Sequence, residues 1–450
     1  MGLAELREEL DRVDRELVKL YRERVSLVSE VAKEKRRSGR AVLDPVREEE
    51  KLDSVSAFLK TELREKLPGE GIQREEGTEK EPKRAAVPGK ETQGGESGRG
   101  VPLSGESEKD SRRAGVEIEF HERAVRELFR QLMSLSRRWQ QRLLGREPSP
   151  ASGFREVSEI PRKKKRVAYQ GLPGAYAELA ARKSFPDDCR FLPSESFRST
   201  VESVLSGRAD FAVLPIENSS YGAVADNFDL LLQFPEAVIL GECFLPVEHV
   251  LMALPGGALS GIRRVFSHPQ ALAQCESFFR EHPRIEAVPM RNTAEAARRV
   301  RESGERELAA LASENAAEIY GLSILQRAVN QQKSNTTRFL IVGKEKIYER
   351  GAERLSLSFE LSHRPGTLYQ VLGSFLFNDL NLSMIQSRPV PDRPFEYRFF
   401  VDVMGNLSDP DVRNALSELP GFRILGNYSD FSDAFPRKAA FPAERIKGGI

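Results

Sequence analysis

Three groups of polar side chains stand where the chain is about to fold against apolar neighbours, and they are the residues to ask about first. Ser334-Asn335-Thr336-Thr337-Arg338-Phe339 leads into Phe339-Leu340-Ile341-Val342, an apolar run that reads as a buried strand. An Asn, two hydroxyls and an Arg at a strand start supply donors, acceptors and one cation, although Ser, Asn and Thr are also ordinary turn residues. Leu214-Pro215-Ile216-Glu217-Asn218-Ser219-Ser220-Tyr221-Gly222 follows a second strand-like run, Asp210-Phe211-Ala212-Val213, about 120 residues earlier. The third group is cationic: Arg7, Arg24 and Lys35, spread along the N-terminal stretch.

The elements that must position these groups are legible in the periodicity. Leu6, Leu10, Val13, Leu17, Leu20, Leu27, Val28 and Val31 recur at helical spacing, predicting a long amphipathic helix from Leu3 to Arg37 that Ser38-Gly39 ends. Lys35 lies eleven residues after Arg24, about three turns on, so the two share a face. Arg7 lies seventeen residues before Arg24, roughly 25 Å along the axis. One small ligand held by both therefore needs Arg7 from a second copy of the chain. Asp44-Pro45-Val46-Arg47-Glu48 opens a second helix to about Leu67, and a third runs from Val116 to Leu144 with Ser136 and Gln140 one turn apart.

From Val167 to about Lys344 short apolar runs alternate with helical stretches, predicting α/β units. Ser267-His268-Pro269-Gln270, Asn292-Thr293-Ala294-Glu295 and Ser313-Glu314-Asn315 each cap a helix after a strand. Three such N-termini facing one cleft suit a dicarboxylate. After Leu355 the order of elements is βαββαβ, the ferredoxin-like order.

Composition narrows the classes. The chain has 450 residues, so two or three domains are expected, and a net charge of +1 gives no pull toward nucleic acid or a membrane. The three cysteines are sparse and unclustered, fitting a reducing, cytoplasmic location. No signal peptide and no membrane-spanning run is evident. No Gly-rich phosphate loop or His cluster implies a nucleotide, metal or other cofactor.

The two polar stretches, in this order and spacing, resemble the prephenate dehydratase family. The resemblance implies a two-lobed α/β domain similar to periplasmic binding proteins, with prephenate between the lobes. It makes Thr337 the catalytic hydroxyl, donating to the departing ring hydroxyl. It offers Arg338 to a substrate carboxylate and Asn218, Ser219, Gln270, Thr293 and Ser313 to the cleft.

The N-terminal helices resemble the all-helical chorismate mutase module of bifunctional bacterial P-proteins, which dimerises through intertwined helices. Matched residue by residue, Arg7, Arg24, Asp44, Arg47 and Ser136 would bind chorismate. Lys35 and Gln140 would stabilise charge on the ether oxygen, and Glu48 would take the substrate hydroxyl. His363-Arg364-Pro365-Gly366-Thr367-Leu368 and Gln386-Ser387-Arg388-Pro389 resemble the ligand segments of the ACT regulatory domain. The implied effector is phenylalanine, held at Pro365, Gly366, Thr367, Leu368, Gln386, Ser387, Arg388 and Pro389. The family usually has Glu at the position of Gln386 and Ala at that of Thr367.

The reading is therefore a multidomain, bifunctional enzyme of phenylalanine biosynthesis, a homodimer or larger. Its expected parts are an all-α mutase over 1–145 with a disordered insertion over about 60–115, a linker over 146–165, the α/β dehydratase over 166–345, an α+β ACT domain over 353–432 and a tail over 433–450. The alternatives are a dehydratase, for prephenate or arogenate, with an inactive mutase, and a non-catalytic ligand sensor.

Overall fold

The computed structural model describes residues 2–42, 44–66, 105–144, 153–331, 334–390, 392–419 and 421–432. The chain divides into two compact units, Met1–Gly145 and Arg146–Ile450.

The first unit is three helices. Helix α1 (Leu3–Ser38) stops at Gly39, which takes a left-handed conformation (φ 67°) and closes the last turn onto the Lys35 carbonyl. Helices α2 (Pro45–Lys66) and α3 (Gly105–Leu144) follow, and α3 packs against both others. Arg126 of α3 ties α2 in place through Asp53 at 2.8 Å and the Ser56 hydroxyl at 3.3 Å. Val28, Ala32, Leu52 and Met133 are buried, whereas Leu6, Leu10, Val13, Leu17 and Leu20 of α1 are each at least 43% exposed. So much of this helix's apolar stripe is open that it lacks cover among the described residues. The expected insertion is trimmed at both ends, because α2 continues to Lys66 and α3 begins at Gly105, eleven residues before Val116. The rest of it, 67–104, lies outside the described residues, as does the tail from 433.

The second unit is built on two main sheets. It opens with β1 (Arg155–Val157) and β2 (Arg166–Gln170), then α4 (Tyr176–Ser184), β3 (Arg190–Ser194), α5 (Phe197–Leu205), β4 (Phe211–Asn218), β5 (Gly222–Ala223), α6 (Ala225–Gln233) and β6 (Val238–Pro246). The chain then crosses to a second sheet: β7 (Val250–Ala253), β8 (Arg264–Ser267), α7 (Pro269–Gln274), α8 (Glu276–Glu281), β9 (Glu286–Pro289), α9 (Thr293–Ser303), β10 (Leu308–Ala312), α10 (Glu314–Tyr320) and β11 (Ser323–Gln326). It returns along β12 (Thr336–Gly343) and β13 (Ile347–Glu349). The C-terminal part is β14 (Arg354–Leu361), α11 (Thr367–Leu376), β15 (Leu382–Pro389), β16 (Tyr397–Met404), α12 (Pro410–Glu418) and β17 (Phe422–Asp430).

The second sheet has the order β11-β7-β10-β8-β9. The first is larger than one domain: β15-β16-β14-β17-β6-β12-β4-β2-β3, with β5 on β4. The C-terminal βαββαβ thus joins the first lobe edge to edge, Ser429 and Asp430 of β17 running parallel to Gly241 and Glu242 of β6. Glycine makes this approach possible, since a Cβ on Gly426 would stand 2.0 Å from the Ile239 carbonyl oxygen. The expected linker over 146–165 is partly structural. Arg155–Val157 pairs with β13, and Ile160 is 1% exposed in the core with Phe185 and Phe431.

Candidate active sites

Strand β12 lies between β4 and β6, and its register sets Thr337 opposite Asn218. The Asn218 amide donates Nδ2–H to Thr337 Oγ1 and to Asn335 Oδ1, both at 2.8 Å. Both side chains are buried. The Thr337 oxygen is therefore an acceptor toward Asn218, and its own O–H has no acceptor among the described residues. Around this pair the two polar stretches are laced together. Ser219 accepts from the Thr336 N–H at 2.9 Å and donates its hydroxyl to the Ser334 carbonyl at 3.1 Å. Ser220 takes a backbone bond to Asn218 Oδ1 at 3.0 Å and donates to Asn335 Oδ1 at 3.4 Å. Asn335 Nδ2 is buried with no partner. Asn335 and Ser220, to which the resemblance gave no role, belong to the site. Both sit inside the two stretches that signalled it.

The second sheet meets this group at several points. The Tyr221 hydroxyl donates to the Gln270 carbonyl at 3.4 Å, placing Gln270 at the junction by its backbone. Thr293 opens α9, half-buried, and nothing among the described residues bonds it to Thr337. Ser313 is a correction. It caps α10 by accepting from the Ala316 N–H at 3.2 Å and donates to the Gly174 carbonyl at 2.8 Å, so its hydroxyl is spent holding the Gly171–Gly174 turn. That turn lies close on α10, since a Cβ at Gly174 (φ 92°) would stand 2.9 Å from Ala316. Beside it the Tyr176 hydroxyl sits 2.8 Å from Nδ1 of His249, whose Nε2 is 2.8 Å from Gln274 Oε1. Burial holds the His249 pKa below its ordinary value, against the raising effect of Gln274. His268 caps α7, Nδ1 accepting from the Gln270 N–H at 3.2 Å, a structural use.

Arg338 is the main correction. Adjacent residues of a strand face opposite ways, so Arg338 points away from Thr337. It is 5% exposed and bonded to Glu242 at 2.7 Å, Asp402 at 2.6 Å and the Tyr428 hydroxyl at 2.9 Å. Burial alone would lower its pKa, but Tyr428, Asp402 and Glu242 outweigh that and hold it well above the ordinary value. A guanidinium so enclosed is turned to these partners and not to the Thr337 side of the strand.

In the helical unit, Tyr21, Arg24, Val28, Ser136, Arg138 and Trp139 line a cavity of about 400 Å³. Arg24 Nε and Gln140 Oε1 are buried without partners, and burial lowers the Arg24 pKa. A buried donor or acceptor left unsatisfied is costly, so Arg24 Nε can give and Gln140 Oε1 can take a further hydrogen bond. Glu48 is instead paired with Arg137, a buried residue that the sequence reading passed over. Arg47, expected to bind chorismate, lies on the surface of this single chain. Its side chain is 73% exposed and reaches back to Glu50, and Asp44 Oδ1 caps α2 by accepting from the Arg47 N–H. Lys35 Nζ donates to the Val42 carbonyl at 2.6 Å, at the turn between α1 and α2. Arg7 is exposed on α1.

In the C-terminal βαββαβ, Gly366 (φ 83°) turns the chain into α11 with Pro365 exposed beside it. The Thr367 hydroxyl donates inward, to the Ser362 and Arg364 carbonyls at 3.2 and 3.1 Å, while Leu368 is half-buried against the core of this domain. Gln386 Nε2 bonds the Ser387 carbonyl at 3.2 Å, and Pro389 is exposed. Arg388 does not face this turn but reaches Asp229 of α6, Nε lying 3.2 Å from the carboxylate. Among the described residues no group of three or more His, Cys, Asp or Glu side chains is arranged to hold a metal, and no helix is long and apolar enough to cross a membrane.

The family model for prephenate dehydratase matches residues 167–347, and that for chorismate mutase type II matches residues 6–75. The chain is 41% identical over 286 residues to the chloroplastic arogenate dehydratase/prephenate dehydratase 6 of Arabidopsis thaliana, spanning 58% of this chain and 68% of the relative. Among solved structures, prephenate dehydratase in complex with L-Phe from Arthrobacter aurescens aligns with a TM-score of 0.55 and 32% identity, over 59% of this chain and 90% of that one. A structure described as GqqA, a novel type of quorum quenching acylase, aligns with a TM-score of 0.55 and 36% identity, over 59% and 98%.

Proposed function

We infer the function from one premise: the chain belongs to the prephenate dehydratase family and carries a chorismate mutase type II domain ahead of the dehydratase. It is an enzyme with both activities. We propose that they act in sequence, chorismate to prephenate to phenylpyruvate.

The first step is an intramolecular rearrangement in which the ether C–O bond breaks as a C–C bond forms. It needs no nucleophile, only selection of the compact conformer and stabilisation of charge on the ether oxygen. Arg24 and Ser136 are the residues to clamp the substrate, and the Gln140 amide would donate its Nε2–H to the ether oxygen. Lys35 would have to leave the Val42 carbonyl to join it. The open apolar stripe of α1 supports a second copy of the chain packing there and bringing its own Arg7. Glu48, neutralised by Arg137, remains the acceptor for the substrate hydroxyl.

In the second step the ring hydroxyl leaves as water while the ring carboxylate leaves as CO2, its bonding electrons filling the ring. One proton is consumed. The observation that carries this reading is the Asn218–Thr337 bond, which fixes the threonine oxygen as acceptor and leaves its O–H to point at the leaving hydroxyl. A threonine is a weak acid, so its part is orientation and stabilisation. The exposed Pro365-Gly366 turn and β15 support a C-terminal ACT domain binding phenylalanine as an inhibitor, in the manner that the L-Phe complex of the Arthrobacter protein suggests. Three buried, free cysteines fit a reducing compartment such as the cytoplasm.

The test is to supply the purified protein with chorismate alone and follow phenylpyruvate. Its formation supports both activities in series. Formation only from added prephenate leaves the mutase inactive, and turnover of arogenate but not prephenate reassigns the second substrate. Binding without turnover of any of the three makes the chain a sensor.

A further inference from the structure

The buried cluster around Arg338 joins two domains that the order of elements would let stand apart. Arg338 belongs to the strand that bears Thr337. Glu242 is on β6, sharing its carboxylate between Arg338 at 2.7 Å and Arg354 at 2.8 Å. Asp402 and Tyr428 come from β16 and β17 of the C-terminal domain, and the Ser356 hydroxyl joins both. Asp402 is 1% exposed and Tyr428 0%.

Two further features show why this cluster matters at this position. The pairing of β12 with β4 shifts register between Arg338 and Phe339, so Ile216 bulges across from that step, one residue past Thr337. A bulge interrupts the ladder and lets the strand twist. The ladder to β4 is thus interrupted at Arg338 itself, while the ladder to β6 runs on past it, and the Arg338 side chain is a further restraint on the twist of β12. On the far side β17 is seated so closely on β6 that Gly426 leaves no room for a Cβ. Tyr428, two residues on along β17, is thereby carried on a strand packed directly against the first lobe.

We propose that Asp402 and Tyr428, acting through Arg338, are positioning residues for Thr337, so that the C-terminal domain supplies part of the dehydratase scaffold whether or not it binds an effector. This rests on the reading of Thr337 as the catalytic hydroxyl. It means that the dehydratase kcat depends on the seating of β16 and β17 against Arg338.

A double-mutant cycle on the full chain tests it, with Tyr428→Phe and Thr337→Ala singly and together, assayed with prephenate well below each variant's melting temperature. Tyr428→Phe removes one hydroxyl from a filled cluster. The expected result is a kcat lower by about tenfold with KM changed less than about twofold. The chorismate mutase rate of the same sample should be unchanged. In the Thr337→Ala background the same substitution should cost less than about twofold, because a positioning effect has nothing left to position. Asp402→Asn is the second variant and should behave alike. An equal loss in both backgrounds, or no loss from either variant, would overturn the proposal. Wild-type kcat in Thr337→Ala alone would overturn the catalytic reading of Thr337, and this inference with it.

Discussion

Asn218 and Thr337 face each other across two antiparallel strands, and the amide donates to the hydroxyl oxygen at 2.8 Å. The direction of that bond decides what the threonine can do. An oxygen that accepts from Asn218 is left with its proton to give. Removing the hydroxyl in Thr337→Ala should lower the dehydratase kcat by about 100-fold and leave the mutase rate alone, as parallel assays with prephenate and chorismate will read.

The orienting partner gives a sharper test of direction. Asn218→Ala removes the donor, and kcat should fall by about tenfold. Asn218→Asp puts a carboxylate in its place, which accepts where the amide donated and draws the Thr337 proton inward. The aspartate variant should therefore be slower than the alanine variant. Equal rates would mean that the direction of the bond is irrelevant.

Gly174 is held at φ 92° with Ala316 close enough to meet any Cβ at 2.9 Å. Gly174→Ala combines backbone strain of about 1–3 kcal/mol with a contact between the first lobe and α10. The melting temperature should drop and KM for prephenate should rise, as the Gly171–Gly174 turn can no longer seat against Ser313. An unchanged KM would place the turn outside the substrate path.

His249 makes the second unit sensitive to acid. Burial lowers its folded pKa below the ordinary 6.5, so the folded state favours the neutral ring. Its contribution to stability is full above about pH 6.5 and is lost as pH falls from there toward the folded value. Protonation sets an imidazolium among the Tyr176 hydroxyl, the Glu248 carbonyl, Gln274 and Asn330. The melting temperature of the wild type should fall more steeply between about pH 7 and 5 than that of His249→Gln. Parallel curves would show that other groups govern the acid limb.

Arg24→Ala should cut kcat/KM for chorismate by about ten- to a hundredfold, the worth of a lost charged hydrogen bond, with the dehydratase unaffected in its separate unit. Arg137→Leu should do so too, more mildly, because it leaves Glu48 without its cation. A wild-type mutase rate in Arg137→Leu would make that pair a helix-packing contact only.

Much of this was legible in the residues. Hydrophobic periodicity and caps are local properties, so the α1 helix with its Gly39 stop, the strands after Val167 and Phe211, and the βαββαβ order could all be read directly. The two polar stretches named their own site, since a strand start must point its polar residues somewhere. What they could not reveal was which way each residue faces and what it meets. Thr337 and Arg338 are neighbours in sequence with equally suitable chemistry, and alternation along β12 sends one to the cleft and the other into a charge cluster built from β6, β16 and β17. Arg388 and Ser313 were likewise claimed by partners more than 130 residues away, Asp229 and Gly174. Arg137 gave no signal because a buried arginine looks like any surface one until its carboxylate is found. Residue type and spacing determined the chemistry on offer, and only the pairing of distant strands decided which groups remained free to perform it.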